Sequence, residues 1–307
     1  MFITDKRTKN PFLACRSEIP AKINELTFKN INLSIKGVVR LFHLLFVLFF
    51  LCSCGGQPKD VDSPSPSAGV PVLNYSVRHV YAHDTTSYTE GFLFHNHQLF
   101  ESSGATDEYP QTRSMAGVED MNTGKIDKKI ELDKKRYFGE GIVFFKDKLY
   151  QLTWKNRTGF IYDAATYRRL DSFRYRNAEG WALTTDSNSL IMSDGTSDLT
   201  YLDPVSLSPV KKLSVTENGF ALDSLNELEY IKGFIYANRY LKDYIVKIDP
   251  ATGKVVGKLD LSSLVSEEHT RNPDGDVLNG IAYDPVADKI YVTGKLWAGI
   301  YEIAFSH

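Results

Sequence analysis

The stretch YFGEGIVFF, residues 137 to 145, decides how the chain is read. Its Phe, Tyr, Ile and Val suit a buried strand, yet a carboxylate, Glu140, stands between two glycines at its mouth. Nearly the same phrase returns in YTEGFLF from Tyr88, AEGWALTTD from Ala178, LNELEYIKG from Leu225 and LNGIAYDP from Leu278. Each gives Glu or Asn, then usually Gly, then an apolar or aromatic run. The starts Glu90, Glu140, Glu179, Asn226 and Asn279 are 50, 39, 47 and 53 residues apart. Second strands follow three of them (KLYQLTW, FIYANRY, KIYVTGKLW), and third strands recur as TGFIYD, DLTYLDP and YIVKIDP. Asp194-Gly195, Asp249-Pro250, Thr252-Gly253 and Asp284-Pro285 supply turns between them. A period in the forties built of short strands is the signature of a propeller blade. The expectation is an all-β, five-bladed β-propeller over residues 75–307. A sandwich or an open β-meander with accidental internal similarity is the alternative.

In a propeller the innermost strand of each blade lines a central channel. Aligned repeats place Glu90, Glu140, Glu179, Asn226 and Asn279 as a ring at one mouth of it. Crowded carboxylates between apolar walls raise one another's pKa, and a carboxyl tuned toward neutrality suits proton transfer. The plain reading of each is a turn cap bonded to backbone N–H, and it weighs most for Glu179. Lys295, in VTGKLW, interrupts an apolar strand; a lysine there is costly without a partner or a task. The only tryptophans are Trp154, Trp181 and Trp297. They can be pocket walls or blade-to-blade packing, and packing is the better reading of Trp297.

The bulk numbers exclude several classes. Of 307 residues, 42% are hydrophobic and 24% charged, ordinary for a soluble globular chain. A net charge of −2 leaves no basic field for nucleic acid. The three cysteines, Cys15, Cys52 and Cys54, all precede the repeats, so the repeat region has no disulfide, thiolate cage or thiol nucleophile. His79, His83, His95, His97 and His269 lack the spacing of a zinc triad, and His95-Asn96-His97 reads as a hairpin loop. Nothing demands more than a monomer.

VVRLFHLLFVLFFL, residues 38 to 51, is an apolar run short for a span, with Lys36 and Arg40 at its upstream side. It reads as a signal-peptide core. Leu51-Cys52-Ser53-Cys54 resembles a bacterial lipobox, with Cys54 the lipidated residue; a plain membrane anchor with incidental cysteines is the bland alternative. Residues 1–53 are a leader. Residues 54–74, rich in Gly, Pro and Ser, are a lipidated cysteine and flexible tether. The expected location is the bacterial cell envelope, lipid-anchored, on its periplasmic or extracellular face.

Taken in order, YTEGFLF, YFGEGIVFF, LTWKNRTGFIYD, EGWALTTD, LIMSDGTS, LNELEYIKGFIYAN, IVKIDPATGKV and LNGIAYDP…KIYVTGKLW…YEI resemble the motifs of the plant and bacterial type glutamine cyclotransferases, from about residue 77 to 305. The resemblance implies a five-bladed propeller that closes an N-terminal glutamine of a peptide or protein to pyroglutamate and releases ammonia, without metal or cofactor. It implies Glu140 as the catalytic carboxylate, Lys295 as oxyanion partner, Asn226 at the substrate γ-amide, Asn279 as a further substrate-binding residue, and Trp154 and Trp181 as aromatic walls. Glu90 stands where the family commonly has Gln, and either binds the α-ammonium or shares a proton with Glu140. Tyr240 replaces a usual Trp at the pocket edge. Two rival readings are a non-catalytic, lipid-anchored propeller that binds peptide N-termini and a structural envelope protein.

Overall fold

The computed structural model describes residues 69–307. The apolar run, Cys54 and most of the tether lie outside the described residues. Among those described, 22 short strands and one helix form five four-stranded antiparallel sheets and one small hairpin. An eight-residue strand, β1 (Tyr75–Ala82), comes first. The first blade is β2 (Thr89–His95), β3 (Gln98–Ser103), β4 (Met115–Asp120) and β5 (Lys125–Glu131). The second is β6 (Gly139–Phe145), β7 (Lys148–Thr153), β8 (Thr158–Asp163) and β9 (Arg169–Arg174). The third is β10 (Leu183–Thr185), β11 (Leu190–Met192), β12 (Asp198–Leu202) and β13 (Pro209–Ser214), followed by the hairpin, β14 (Thr216–Glu217) and β15 (Phe220–Ala221). The fourth is β16 (Leu225–Ile231), β17 (Phe234–Arg239), β18 (Tyr244–Ile248) and β19 (Val255–Asp260). Helix α1 (Ser262–Arg271) leads to the last blade, β20 (Leu278–Asp284), β21 (Lys289–Gly294) and β22 (Gly299–Phe305). Its fourth strand is β1, which pairs antiparallel with β22 and closes the ring by joining the first described strand to the last.

The pattern of burial explains the ring. Inner and middle strands are buried on both faces, whereas outer strands such as β5 and β13 are mostly turned to solvent. Such blades bury their apolar faces only against each other. Five apolar clusters form, one at each blade-to-blade interface. Trp297, fully buried, belongs to the cluster between the fourth and fifth blades. The hairpin turns use local chemistry: Asn96 and His97 both take positive φ, 48° and 63°, as a two-residue turn between β2 and β3 requires. Pro71 to Leu73 run beside β19, where Leu73 N–H donates to Lys258 C=O at 2.7 Å, so paired chain begins a few residues ahead of Tyr75.

The inner strands share one irregularity. Pairing to the second strand slips at Thr89/Gly91, Gly139/Ile142, Leu225/Leu228 and Leu278/Ile281. Each slip is a β-bulge, which re-aims the side chain it carries. Glu90, Glu140, Asn226 and Asn279 all sit in these bulges. In the first two blades the following glycine is needed because inner strands nearly touch: a Cβ on Gly141 would lie 2.4 Å from Ala182 Cα, and one on Gly91 2.8 Å from the Ile142 nitrogen. The Gly141–Ala182 contact also fixes the register of the third blade. Trp181, not Glu179, holds the position equivalent to Glu140, so the ring expected from the repeats is displaced by two residues there.

Candidate active site

Glu90, Glu140 and Lys295 are all nearly inaccessible, at 3%, 4% and 4% exposure. Lys295 follows β21, and its backbone is clamped from both sides. Its N–H donates to Val277 C=O at 3.0 Å, and its C=O accepts from Asp276 N–H at 2.8 Å. The ammonium donates to Glu90 Oε1 at 2.6 Å and lies over the Tyr88 ring at 4.4 Å from its centre. Burial opposes the charged lysine, but Glu90, which it bonds, leads the groups that outweigh this and hold its pKa above the usual value. Burial pushes Glu90 up to about 7, with Lys295 pulling the other way. Glu140 is raised well above the ordinary carboxyl range by burial first and then by Glu90 and Glu179, against the opposing pull of Lys295. The Lys295 ammonium thus lies near enough to Glu140 to bear on its titration.

Supporting contacts fix these groups from behind. Ser102 Oγ–H donates to Glu140 C=O at 2.6 Å, and Gln151 Nε2–H donates to Ser102 Oγ at 3.2 Å. Ser193 Oγ–H does the same for Asn226 C=O at 2.8 Å. Asn279 Nδ2–H donates to Thr89 C=O at 2.9 Å and reaches Glu90 Oε2 at 3.5 Å. Of the buried polar atoms with no hydrogen-bond partner within the described residues, three are acceptors on these bulges: Glu140 Oε2, Asn226 Oδ1 and Asn279 Oδ1. Buried polar atoms are ordinarily satisfied. Three orphans on three equivalent bulges mark a place built to receive polar groups from outside.

Around this centre runs a belt of side chains. Tyr88 meets Phe138 edge-on at 6.1 Å, and Phe138 meets Trp154 at 5.7 Å. Trp154 Nε1–H and Trp181 Nε1–H both donate to Glu179 Oε2, at 2.7 and 2.8 Å. Trp181 meets Tyr240 at 5.6 Å, and Lys295 Nζ lies 5.8 Å from the Tyr240 ring centre and 4.4 Å from that of Tyr88. The anticipated Trp154, Trp181 and Tyr240 therefore share one rim with Lys295.

Three neighbours of the site and one carboxyl that bridges blades behind it escaped the sequence reading. Tyr88 and Phe138 each precede a bulge glutamate by two residues, a signal visible as aromatic-x-Glu in both YTEG and FGEG. Asp276 accepts from Tyr88 Oη–H at 3.2 Å and adds to the upward push on Glu90. It arrives on the loop after α1, whose buried Glu268 accepts from Tyr301 Oη–H at 2.6 Å, while Asn272 Nδ2–H donates to Leu296 C=O at 2.6 Å. Glu227 takes the place that glycine holds in the other bulges. Its carboxyl reaches two other blades, accepting from Phe92 N–H at 3.2 Å and Ile281 N–H at 2.9 Å.

Comparison with known proteins places the chain in a family. The family model described as glutamine cyclotransferase matches residues 47–305. A glutaminyl-peptide cyclotransferase of Arabidopsis thaliana is 37% identical over 225 residues, 73% of this chain and 68% of the relative. The crystal structure of Myxococcus xanthus glutaminyl cyclase superposes with a TM-score of 0.69 at 32% identity, covering 77% of this chain and 98% of the other. The chain belongs to the glutamine cyclotransferase family.

Proposed function

We propose that the protein is a glutaminyl-peptide cyclotransferase, an acyl-transferring enzyme that turns an N-terminal glutamine of a peptide or protein into pyroglutamate and releases ammonia. The observation that carries this reading is Glu140: a buried carboxyl with one oxygen unpartnered, held beside a Lys295–Glu90 pair inside an aromatic rim. A binding module needs no proton-transfer group tuned in this way, and the family match favours the enzyme over the module.

The reaction forms a bond between the α-nitrogen and Cδ of one glutamine, and breaks the bond from Cδ to the amide nitrogen. Its first difficulty is entropic, because a floppy chain must fold back on itself. Trp154, Trp181 and Tyr240 wall the methylenes, while Asn226 and Asn279 offer acceptor oxygens to amide or amine N–H groups. As the α-amine adds, negative charge develops on the carbonyl oxygen, where the Lys295 ammonium stabilises it. Glu90 keeps that ammonium charged and placed. Glu140, raised toward the neutral acid, donates its proton to the departing nitrogen and receives one from the attacking amine. The carboxyl ends as it began.

The apolar run before Leu51-Cys52-Ser53-Cys54 supports a further reading: Cys54 carries lipid and tethers a monomeric propeller to the bacterial cell envelope, on its periplasmic or extracellular face. Replacing Cys54 by Ser and fractionating cells tests it; unchanged membrane association contradicts lipidation. For the activity, incubation with a Gln-initiated peptide should release ammonia and lower the peptide mass by one NH3. Binding without a mass change contradicts the enzyme.

A further inference from the structure

The two indole walls come from different blades. Trp154 follows β7 of the second, and Trp181 precedes β10 of the third. Both indole N–H groups nevertheless end on one atom, Glu179 Oε2, at 2.7 and 2.8 Å. An indole has a single donor, so each ring spends its one N–H on this acceptor. We propose that Glu179 is a positioning residue of the active site: by accepting both indole N–H groups it sets the spacing and tilt of the walls that hold the folded-back glutamine. The proposal rests on the cyclase reading above and deepens it.

Several observations make this more than a turn cap. Glu179 lies outside the bulge register, two residues ahead of the position that Trp181 fills, so it contributes no member to the axial ring. Its place in the belt is between the two tryptophans, where it links an aromatic arc of Tyr88, Phe138 and Trp154 to one of Trp181 and Tyr240. A partly exposed ring with no anchored N–H samples more orientations, and the near-attack geometry of an intramolecular reaction is sensitive to small displacements.

Two substitutions separate position from charge. Glu179→Gln keeps an acceptor oxygen of the same reach, whereas Glu179→Leu removes the acceptor and keeps the bulk. The indole N–H signals of the nitrogen-15-labelled protein provide a readout independent of turnover, since Trp297 bonds elsewhere, to Asp276 C=O at 2.8 Å, and serves as an internal control of folding. Glu179→Leu should move the Trp154 and Trp181 signals together and leave Trp297 in place, and kcat/KM for a Gln-initiated peptide should fall about tenfold. Glu179→Gln should leave all three signals near their wild-type positions and restore most of the activity. Unmoved signals in Glu179→Leu would overturn the tie. Moved signals with unchanged kcat/KM would overturn its role in the reaction. Wild-type indole signals in Glu179→Gln with activity as low as in Glu179→Leu would show that the contribution is charge, and that too would overturn positioning. A wild-type protein that releases no ammonia would instead overturn the cyclase reading, while the indole signals still judge the tie.

Discussion

Two sets of carboxyls, buried except for the half-buried Glu229, occupy the inner strands, and they differ in what their oxygens touch. Glu227 and Glu229, on β16, are saturated by the protein: Glu227 accepts from Phe92 and Ile281 N–H, and Glu229 from Tyr283 N–H at 3.0 Å and Thr184 Oγ–H at 3.4 Å. Glu140 leaves one oxygen without a partner, and Glu90 spends one on an ammonium. Burial raises all four pKa values, Glu227 and Glu140 well above the ordinary range, Glu229 to about 8 and Glu90 to about 7. A displaced pKa alone therefore does not distinguish a catalytic carboxyl from a structural one. On the inner strands the partners do: carboxyls that bridge blades stabilise the ring, and Glu140, with an idle oxygen beside two other unpartnered acceptors and inside the aromatic rim, is placed to meet a substrate.

That contrast predicts opposite consequences for one substitution at two positions. Glu140→Gln should lower kcat about 10³-fold, the middle of the range for general acid–base groups, with thermal stability unchanged or slightly raised. Steady-state kinetics beside a melting curve measure both, and a near-normal kcat would remove Glu140 from its role. Lys295→Ala should cost about 10²-fold in kcat, with the larger share in kcat rather than KM. An effect confined to KM would make Lys295 a binding group. Glu227→Gln should do the reverse of Glu140→Gln. Its amide presents one oxygen where the carboxyl presents two, so one buried donor is stranded at a cost of about 1–3 kcal/mol, while kcat stays within about twofold of wild type. Denaturant unfolding reads the first and turnover the second.

The same carboxyls give stability a pH dependence of definite sign. Glu227, Glu229 and Glu90 have folded-state pKa values above their ordinary 4.5, so the folded chain binds protons that the unfolded chain has released. Their contribution is full below pH 4.5 and is lost as pH rises through about 7 for Glu90 and about 8 for Glu229. His83 acts in the same direction. Burial disfavours its charge, but Glu101, 2.9 Å away, outweighs this and raises it to about 9, so its contribution fades between pH 6.5 and 9. Melting temperature should therefore fall from about pH 5 to about pH 9, and Glu229→Gln should flatten part of that slope. A rising melting temperature over that interval would contradict the assignments. The smallest expected effect is at the rim: Tyr240→Trp enlarges the apolar wall facing Trp181 and should lower KM for Gln-initiated peptides about two- to fivefold, read from initial rates.

Much of this was legible in the amino-acid sequence because a propeller repeats its own sentence. Four inner strands carry the acid or amide in the same bulge, and the turn pairs mark their ends. The third blade misled because EGW imitates EGF and EGI while its true inner strand starts two residues later; only the approach of Gly141 to Ala182 reveals the shift. Glu227 stayed hidden behind Asn226, which had already filled the repeat position. Helix α1 has no side-chain cap bond at its start and buries only Leu264, Val265 and Glu268, so its periodicity is faint. Asp276 belongs to that non-repeating insertion, and no spacing within the blades could locate it.

The proposed chemistry depends above all on Glu140 standing in the free enzyme as a neutral acid with an idle oxygen. Infrared difference spectroscopy at neutral pH, wild type minus Glu140→Gln, tests this most directly. The expected result is the C=O stretch of a protonated carboxyl, perturbed when a Gln-initiated peptide binds. A difference spectrum holding only carboxylate bands, unmoved by peptide, would contradict it.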